Sequence, residues 1–273
     1  MSSTFAKPCV LTIAGSDSSG GAGIQADLKA ISAQGCYGLA ALTCIVAESP
    51  ERVAEVKTLS AQLVASQIKV LFEGFPIRAV KTGLLRSSTI VRMVAKVLKQ
   101  LAKARGVPIV VDPVMLTSTG DSLVFTTISS SYLRDLIPLA TLVTPNLDEL
   151  GVFAKKKVNT YTEMRQVGRR LSREWGIPLL LKGGHLRDKV ARDLLVAPAG
   201  EEWEYKSPFH PDVMAHGTGC TFSAAITAQL ALGKPLEQAV DIAKGYMDLA
   251  VRCHLAWGRI QVLEHFPNLP AQK

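Results

Sequence analysis

The chain has 273 residues, of which 48% are hydrophobic, 20% charged and 6% aromatic, and this composition excludes a disordered or fibrous protein. Its formal net charge of +8 does not indicate nucleic-acid binding, because the basic residues are spread along the chain without interleaved aromatic residues; the charge favours anionic substrates. No apolar run is long enough to span a bilayer and residues 1–4 lack a secretory signal pattern, so we expect a cytoplasmic protein with no membrane partner.

The first part of the chain predicts strands and helices that alternate. Residues 9–14 have the pattern of a short buried strand, and residues 24–34 have the apolar spacing of a helix. Residues 39–46 predict a second strand, residues 61–72 a second helix, and residues 79–81 the end of a third strand. Helical crossovers between successive strands are typical of parallel pairing.

The same alternation continues through the middle of the chain. Residues 88–103 predict a helix, and strands are predicted at residues 109–112, 141–143 and 179–182, with helices between them. No linker-like or low-complexity segment interrupts this order. We therefore expect one α/β domain over residues 1–273.

The C-terminal part departs from the alternation. Residues 193–196 and 203–205 predict an antiparallel hairpin, and helices are predicted to start near Gly219 and Leu236. The pattern as a whole predicts a central, mostly parallel sheet with helices on both faces. In such folds ligands bind outside the carboxyl ends of the strands, where the polar motifs of this sequence also fall.

A glycine-rich segment, residues 14–29, follows the first predicted strand. It is neither a Walker A loop nor a dinucleotide-binding motif, but Gly15 and Gly23 allow a ligand to approach the backbone closely. Asp27 lies just inside the following helix. Its carboxylate can bind a substrate hydroxyl or amine, or it can only complement the helix dipole, and the sequence does not choose between these interpretations.

Residues 216–226 place a thiol at the predicted start of a helix. Gly217, Thr218 and Gly219 expose consecutive main-chain N–H groups, which together with the helix dipole form an anion-binding site. The thiolate of Cys220 can then accept a proton from an attacking hydroxyl. This pattern predicts a small-molecule kinase, although a glycine turn with a buried cysteine has the same sequence.

The five cysteines, at positions 9, 36, 44, 220 and 253, include no close pair such as Cys-x-x-Cys. Their odd number and spacing argue against a disulfide framework or a zinc site, and for reduced thiols. We expect the four cysteines other than Cys220 to be packing residues.

Six segments of the chain together resemble bacterial hydroxymethylpyrimidine and phosphomethylpyrimidine kinases, and they occur in the order of that family. The resemblance covers roughly residues 10–256, which makes it far more specific than any single glycine motif. The matching segments are residues 11–29, 81–83, 111–115, 144–149, 182–185 and 216–225.

The resemblance implies a ribokinase-like fold and the use of ATP. The family transfers the γ-phosphoryl group to 4-amino-5-hydroxymethyl-2-methylpyrimidine and then to its monophosphate, in one site, and the resemblance also suggests a homodimer. In this family a cysteine takes the place of the aspartate of related sugar kinases, so Cys220 is the candidate general base. The chemistry requires a depressed thiol pKa, which we expect from its place at a helix N-terminus.

The remaining polar matches suggest a nucleotide and magnesium site. Asn146 and Glu149 match a family element that organises Mg²⁺ and phosphate through water, although the same residues make a good helix capping box. Asp112 ends a strand and can orient Mg²⁺ or bind turn amides. Lys182 ends another strand, where its ammonium can meet nucleotide phosphates or be solvated.

The expected substrate pocket contains Val114 and two departures from the family. Glu48 stands where relatives often have glutamine, and a carboxylate cannot donate a hydrogen bond as an amide does. Leu84 stands where methionine is common. Residues 116–121 resemble the family's flexible flap, with Ser118 where many relatives have lysine.

These departures leave alternatives open for the substrate. A pyridoxine or pyridoxal kinase is the nearest, because its substrate is also a hydroxymethyl heteroaromatic. A different class of interpretation is a ligand-binding regulator that senses redox state through Cys220, which predicts binding without turnover.

Overall fold

The computed structural model describes residues 6–115, 125–184, 186, 190–213 and 215–267. Nine of its strands form one sheet in the order β3-β2-β1-β4-β5-β6-β7-β8-β9, and β10 and β11 form a separate hairpin. The strands are β1 (Cys9–Asp17), β2 (Tyr37–Ser49), β3 (Arg52–Thr58), β4 (Ile77–Thr82), β5 (Ile109–Val111), β6 (Leu142–Val143), β7 (Leu179–Lys182), β8 (Val190–Val196), β9 (Glu202–Pro208), β10 (Leu255–Trp257) and β11 (Ile260–Val262).

Helices lie on both faces of this sheet. Serine hydroxyls cap two of them, since Ser60 accepts from the Leu63 N–H and Ser87 from the Ile90 N–H. Short 3₁₀ or π turns occur at Lys103–Arg105, Tyr132–Leu136 and Ile137–Leu139. The α-helices of the described residues are α1 (Gly23–Ala33), α2 (Ala61–Gly74), α3 (Ser88–Leu101), α4 (Phe125–Ser131), α5 (Leu147–Ala154), α6 (Tyr161–Trp175), α7 (Thr218–Ala231) and α8 (Leu236–Arg252).

The strand sequences explain why both faces of the sheet are covered. Successive side chains of a strand point to opposite faces. In β1, Leu11 and Ile13 join the core that contains residues of α2, α3, α5 and α6, whereas Val10 joins a cluster with α1 and α7. In β7, Leu180 packs with residues of α7 and α8, on the side opposite Leu179 and Leu181. A strand that is apolar on both faces is the expected pattern for a buried parallel sheet.

The predicted fold class is confirmed. Strands β2, β1, β4, β5, β6 and β7 pair in parallel, and β8 and β9 form the predicted antiparallel hairpin at one edge. The prediction missed β3, which pairs antiparallel with β2 at the other edge, and it missed the β10–β11 hairpin. Both lie in segments with exposed or half-exposed residues, so they lack the apolar signal of a buried strand. No helix of the described ranges has the length and apolar character needed to cross a bilayer.

The parallel strands end together at one edge of the sheet. Asp17 closes β1, Asp112 follows β5, Thr144 follows β6 and Lys182 closes β7. Helix α7 starts at Thr218, immediately after Gly217. The carboxyl ends of the parallel strands and the first turn of α7 therefore surround the same space.

Candidate active site

A cavity of about 250 Å³ lies at the carboxyl ends of the parallel strands. Nearly all the residues predicted from the sequence to form a site line it. The predicted residues that line the cavity are Gly15, Gly23, Glu48, Leu84, Asp112, Val114, Asn146, Glu149, Lys182, Gly217, Thr218, Gly219 and Cys220.

Two glycines allow the loops around the cavity to meet. Gly217 has a φ of +83°, and a Cβ atom there would overlap the carbonyl oxygen of Gly21 in the glycine-rich loop. Gly23 has a φ of +57°, and a Cβ atom there would overlap the carbonyl oxygen of Gly15. The Gly23 N–H lowers the pKa of the Cys220 thiol, so the glycine-rich loop lies next to the first turn of α7. Larger residues at positions 23 and 217 would separate these loops.

Cys220 lies in the first turn of α7 and lines the cavity with a half-buried side chain. Burial raises the pKa of this thiol to about 11, against the opposing effect of the Lys81 ammonium; Asp27 and Asp112 add to the increase. The expected depressed pKa is therefore wrong. Loss of water around the thiolate outweighs the stabilisation that the N–H groups and the nearby lysine provide.

The other cysteines follow the prediction in three of four cases. Cys9, Cys36 and Cys44 are buried, as expected for packing residues. Cys253 is exposed at the end of α8, so its assignment as a packing residue is wrong.

Asp27 requires a correction, because it does not line the cavity. Its side chain is fully buried and accepts hydrogen bonds from the Lys81 ammonium at 2.6 Å and from the Thr12 hydroxyl at 2.6 Å. Neither a direct substrate contact nor a simple dipole interaction describes this carboxylate. Sequence reasoning overlooked Lys81, although a lysine among the apolar residues of a central strand is a recognisable signal of a buried partner.

Asp112 is held by three side chains at the floor of the cavity. Its Oδ1 accepts from the Lys182 ammonium at 2.7 Å and from Thr144 Oγ1 at 3.0 Å, while its Oδ2 accepts from Ser223 Oγ at 3.0 Å. Lys182 is thus an ion-pair partner with a side chain only 13% exposed, and the solvated interpretation is wrong. Although burial alone would lower the pKa of Lys182, Asp112 and Glu149 raise it.

Asn146 and Glu149 form the capping box that their spacing allows. The Asn146 side chain accepts from the Glu149 N–H at 2.9 Å, and Glu149 Oε2 accepts from the Asn146 N–H at 2.8 Å. Both residues also line the cavity. Burial raises the pKa of Glu149 to about 8, with Lys182 opposing the increase and Asp112 adding to it. Capping and participation in a site are therefore compatible at this position.

Glu48 lies beside two cavity residues that were not assigned a role from the sequence. Potential ligand atoms of Glu48, Asp17 and His216 lie within 4.8 Å of one another, and His216 Nε2 is 3.8 Å from Asp17 Oδ2. Burial raises the pKa of Glu48 to about 7, and the nearby Asp17 carboxylate adds to the increase. The Ser18 hydroxyl fixes this end of β2 by bonding both the N–H and the carbonyl of Glu48.

Asp17 also organises the glycine-rich loop. Its carboxylate accepts from the main-chain N–H groups of Ser19 and Ala22, each at 2.7 Å. A polar residue followed by serines and glycines is typical of such a turn, and this signal was available in the sequence. The predicted flap, residues 116–121 with Ser118, lies outside the described residues.

The comparisons with known proteins give one family. The family model described as phosphomethylpyrimidine kinase matches residues 17–264. A hydroxymethylpyrimidine/phosphomethylpyrimidine kinase of Rhizobium meliloti is 38% identical over 268 residues, which cover 94% of this chain and 96% of the relative. A thiamine biosynthesis bifunctional protein of Geobacter sulfurreducens is 40% identical over 256 residues, and this chain spans about half of its length (51%).

Solved structures agree with the fold. The phosphomethylpyrimidine kinase of Clostridium difficile has a TM-score of 0.74 and 39% identity, over 88% of this chain and 98% of that one. The pyridoxal kinase of Bacillus subtilis, in an ADP complex, has a TM-score of 0.86 and 32% identity, over 95% of this chain and 98% of that one. The chain has a ribokinase-like fold, and it belongs to the phosphomethylpyrimidine kinase family.

Proposed function

We propose that the chain is an ATP-dependent kinase that phosphorylates 4-amino-5-hydroxymethyl-2-methylpyrimidine and then its monophosphate, giving the diphosphate used in thiamine biosynthesis. The observation that carries the proposal is one cavity bordered by the Cys220 thiol, the first turn of α7 and the Lys182 ammonium. Membership of the family supports the acceptor, and the ADP complex of a relative supports the nucleotide.

The donor phosphates bind at the start of α7 in this proposal. Gly217, Thr218 and Gly219 supply main-chain N–H groups at the positive end of the helix dipole. A Cβ atom on Gly219 would lie 3.2 Å from Lys182 Nζ, so the ammonium is next to the same turn. An ammonium has three donors, which allows Lys182 to bind a phosphate oxygen while it keeps its bond to Asp112.

Cys220 acts on the acceptor hydroxyl in the first phosphorylation. The thiolate takes the proton of the hydroxymethyl group, the oxygen forms a bond to the γ-phosphorus, and the bond to ADP breaks. Because the pKa of Cys220 is raised to about 11, most of the enzyme holds a protonated thiol near neutral pH, and the rate rises with pH. In the second phosphorylation the acceptor is a phosphate monoester, which is already ionised near pH 7 and does not need a base.

The pocket for the acceptor is formed by the other side of the cavity. Gly15 and Gly23 allow the ring to approach the glycine-rich loop, while Leu84 and Val114 supply apolar contacts. Glu48 lies at the end of β2, where its carboxyl group can bind the polar edge of a heteroaromatic ring.

Asp112, Asn146 and Glu149 fit a site for Mg²⁺. Hard cations prefer oxygen ligands. The proximity of Asp112 adds to the raised pKa of Glu149, and a divalent cation would relieve this repulsion. When bound, Mg²⁺ neutralises charge on the nucleotide phosphates. Asp112 and Glu149 would hold it directly or through water, and Asn146 fixes the orientation of Glu149.

Pyridoxine or pyridoxal is the second candidate acceptor. The TM-score with the pyridoxal kinase of B. subtilis is higher than that with the phosphomethylpyrimidine kinase of C. difficile, although the sequence identity is lower. Glu48 bears on this choice, because its hydrogen bonding in the cavity depends on its protonation.

The experiment is ATP-dependent phosphorylation with hydroxymethylpyrimidine, its monophosphate and pyridoxine in parallel, with products resolved by mass. We expect efficient conversion of both pyrimidines. Preferred conversion of pyridoxine would assign the protein to vitamin B6 salvage instead. Binding of all three acceptors without any phosphorylated product would contradict a kinase and favour the redox regulator.

The cellular setting follows from the same proposal. We predict one kinase domain that acts in the cytoplasm as a homodimer, without nucleic-acid or membrane partners. Light scattering of the purified protein measures the oligomeric state, and a monomeric mass would contradict the homodimer.

A further inference from the structure

A charged pair is buried beside the cavity, in a place that the proposed reaction does not use. Lys81 projects from β4 and Asp27 from α1, and their side chains are 1% and 0% exposed. Lys81 Nζ lies 2.6 Å from Asp27 Oδ1, and the other carboxylate oxygen accepts from Thr12. Neither Lys81 nor Asp27 lines the cavity, so the pair has no direct access to a substrate.

Such a buried pair contributes little net free energy to the stability of a fold. Removing two charges from water costs several kcal/mol per ion, and apolar residues of similar volume often stabilise a core as well or better. The surroundings of Lys81 are otherwise those of a central strand, with Val80 in the main core and Ala79 in the cluster on the opposite face. The presence of a charged pair at this position therefore has a reason other than packing.

The position of the pair supplies that reason. A Cβ atom built on Gly83 would lie 3.3 Å from Lys81 Nζ and 3.0 Å from Ala14 Cβ, and Ala14 lines the cavity. Helix α7, which carries Cys220, packs against both β4 and α1. The ammonium thus lies next to the cavity wall, on a strand that packs against the helix carrying the reactive thiol.

The Cys220 thiol is sensitive to this pair. After burial, Lys81 has the largest effect on the pKa of Cys220 and lowers it, whereas Asp27 and then Asp112 raise it. Lys182 is a second cation that interacts with this thiol. Within the described ranges, the charged groups that act on Cys220 include Lys81, Asp27, Asp112 and Lys182.

We infer that Lys81 is a positioning residue for the reacting thiol: its ammonium, fixed by Asp27 next to the cavity wall, stabilises the negatively charged form of Cys220. Asp27 keeps the ammonium charged and in place, but its own negative charge offsets part of the effect of Lys81 on the thiol. The inference rests on the proposed function only in making Cys220 the reacting group.

The test is the pH dependence of Cys220 alkylation by iodoacetamide, mapped by peptide mass, in a Cys253→Ser background that removes the exposed thiol. Lys81→Met should raise the pKa of alkylation by about one unit or more. Asp27→Asn should also raise it, because the buried ammonium then loses the partner that keeps it charged. An unchanged or lower value in Lys81→Met would overturn the inference.

Two further variants separate electrostatics from loss of structure. If Lys81→Met does not fold, the neutral double variant Lys81→Met/Asp27→Asn takes its place, and it should still raise the pKa because Lys81 affects the thiol more than Asp27 does. Lys244→Met is the matched control. Lys244 Nζ lies 2.6 Å from Asp193 Oδ2 in a similar pair, and neither residue lines the cavity. A shift in the Lys244 variant equal to that in the Lys81 variant would contradict a specific effect.

Kinase activity distinguishes this inference from the proposed function. Lys81→Met should reduce kcat for the alcohol acceptor about tenfold or more while the KM for ATP stays within about twofold. Shifts in alkylation together with an unchanged kcat would retain the electrostatic role and reject Cys220 as the base. Normal Cys220 alkylation in an active Lys81→Met variant would reject the role of Lys81 and would leave the proposed function intact.

Discussion

Two aspartate–lysine pairs lie close to the same thiol, and they differ in what else can reach them. The Asp27–Lys81 pair has a separation of 2.6 Å and is closed on all sides, with exposed fractions of 0% and 1%. The Asp112–Lys182 pair has a separation of 2.7 Å, but both residues border the cavity and the lysine side chain is 13% exposed. The closed pair can act only through its electric field, whereas the open pair can bind a ligand.

The difference extends to the partners of each carboxylate. Asp27 has one hydroxyl partner, Thr12, in addition to its lysine. Asp112 has Thr144 and Ser223, so it keeps two hydrogen bonds if Lys182 moves toward a phosphate. Lys182 can therefore bind a ligand in the cavity without leaving the Asp112 carboxylate unpaired.

The largest expected effect comes from removing the Cys220 thiol, on which both pairs act. Cys220→Ala should reduce phosphorylation of the alcohol acceptor by at least about a hundredfold, because the hydroxyl then has no base. The monophosphate acceptor should be much less affected, since its attacking oxygen is already ionised. Initial rates with each acceptor measure the contrast, with Cys253→Ala as the control. Near-normal rates with the alcohol would remove Cys220 from the mechanism.

The pH dependence of the reaction rate tests whether the Cys220 thiol is mostly protonated near neutral pH despite the nearby Lys81 ammonium. The pKa of Cys220 is raised to about 11, so the fraction of thiolate grows about tenfold per pH unit between pH 7 and pH 9. We expect the rate with the alcohol acceptor to rise in proportion at saturating Mg²⁺, and the rate with the monophosphate to change little. Equal pH profiles for the two acceptors would contradict a base that acts only on the alcohol.

Substitution of each lysine tests the contrast between the open and closed pairs. Lys182→Met should raise the KM for ATP about tenfold and lower the free energy of unfolding by only about 1 kcal/mol, because Asp112 keeps its hydroxyl donors. Lys81→Met should leave the KM for ATP near normal but lower the free energy of unfolding by about 3 kcal/mol, because Asp27 is left charged and buried.

Urea unfolding and initial-rate kinetics on the same samples provide both measurements. Lys244→Met controls for the loss of a buried lysine partner away from the cavity. Equal losses of stability for Lys81→Met and Lys182→Met would show that openness to the cavity does not distinguish the pairs.

The smallest expected effect concerns Glu48, which belongs to neither pair but borders the cavity. Burial and Asp17 raise the pKa of Glu48 to about 7, so the neutral acid is present below pH 7 and the carboxylate above it. The neutral acid donates and accepts hydrogen bonds, as an amide does, and the carboxylate only accepts. Glu48→Gln should therefore lower the KM for the pyrimidine severalfold at pH 8 and change it little at pH 6.

Measurements of KM at several pH values test this effect, with pyridoxine as the second acceptor. If Glu48→Gln changes the KM of neither acceptor at any pH, the carboxyl group does not contact the bound ring.

The sequence predicted the fold and most cavity residues because both leave local signals. Apolar strands such as residues 179–181 alternate with amphipathic helices, and residues at the ends of parallel strands must meet at one edge. The glycines at positions 23 and 217 stand where a side chain would overlap another loop. These features depend on short stretches of chain and on known rules of topology.

The errors concern properties that depend on distant residues. The partner of Asp27 is 54 positions away, so the closed pair was not visible from the helix that carries Asp27. The direction of the Cys220 pKa shift depends on the balance between burial and charges from several elements, which a helix N-terminus alone does not determine. Strand β3 was missed because its pairing with β2 stabilises a segment with little apolar character of its own.

The most direct test of the central claim is to follow kinase activity and Cys220 alkylation in the same sample. In a Cys253→Ser background, we expect activity with the alcohol acceptor to fall in proportion to the fraction of Cys220 alkylated, as mapped by peptide mass. The acceptor together with a non-hydrolysable ATP analogue should slow the loss of activity and the alkylation of Cys220 equally. Full activity in enzyme with Cys220 fully alkylated would contradict a reaction that takes place in this cavity.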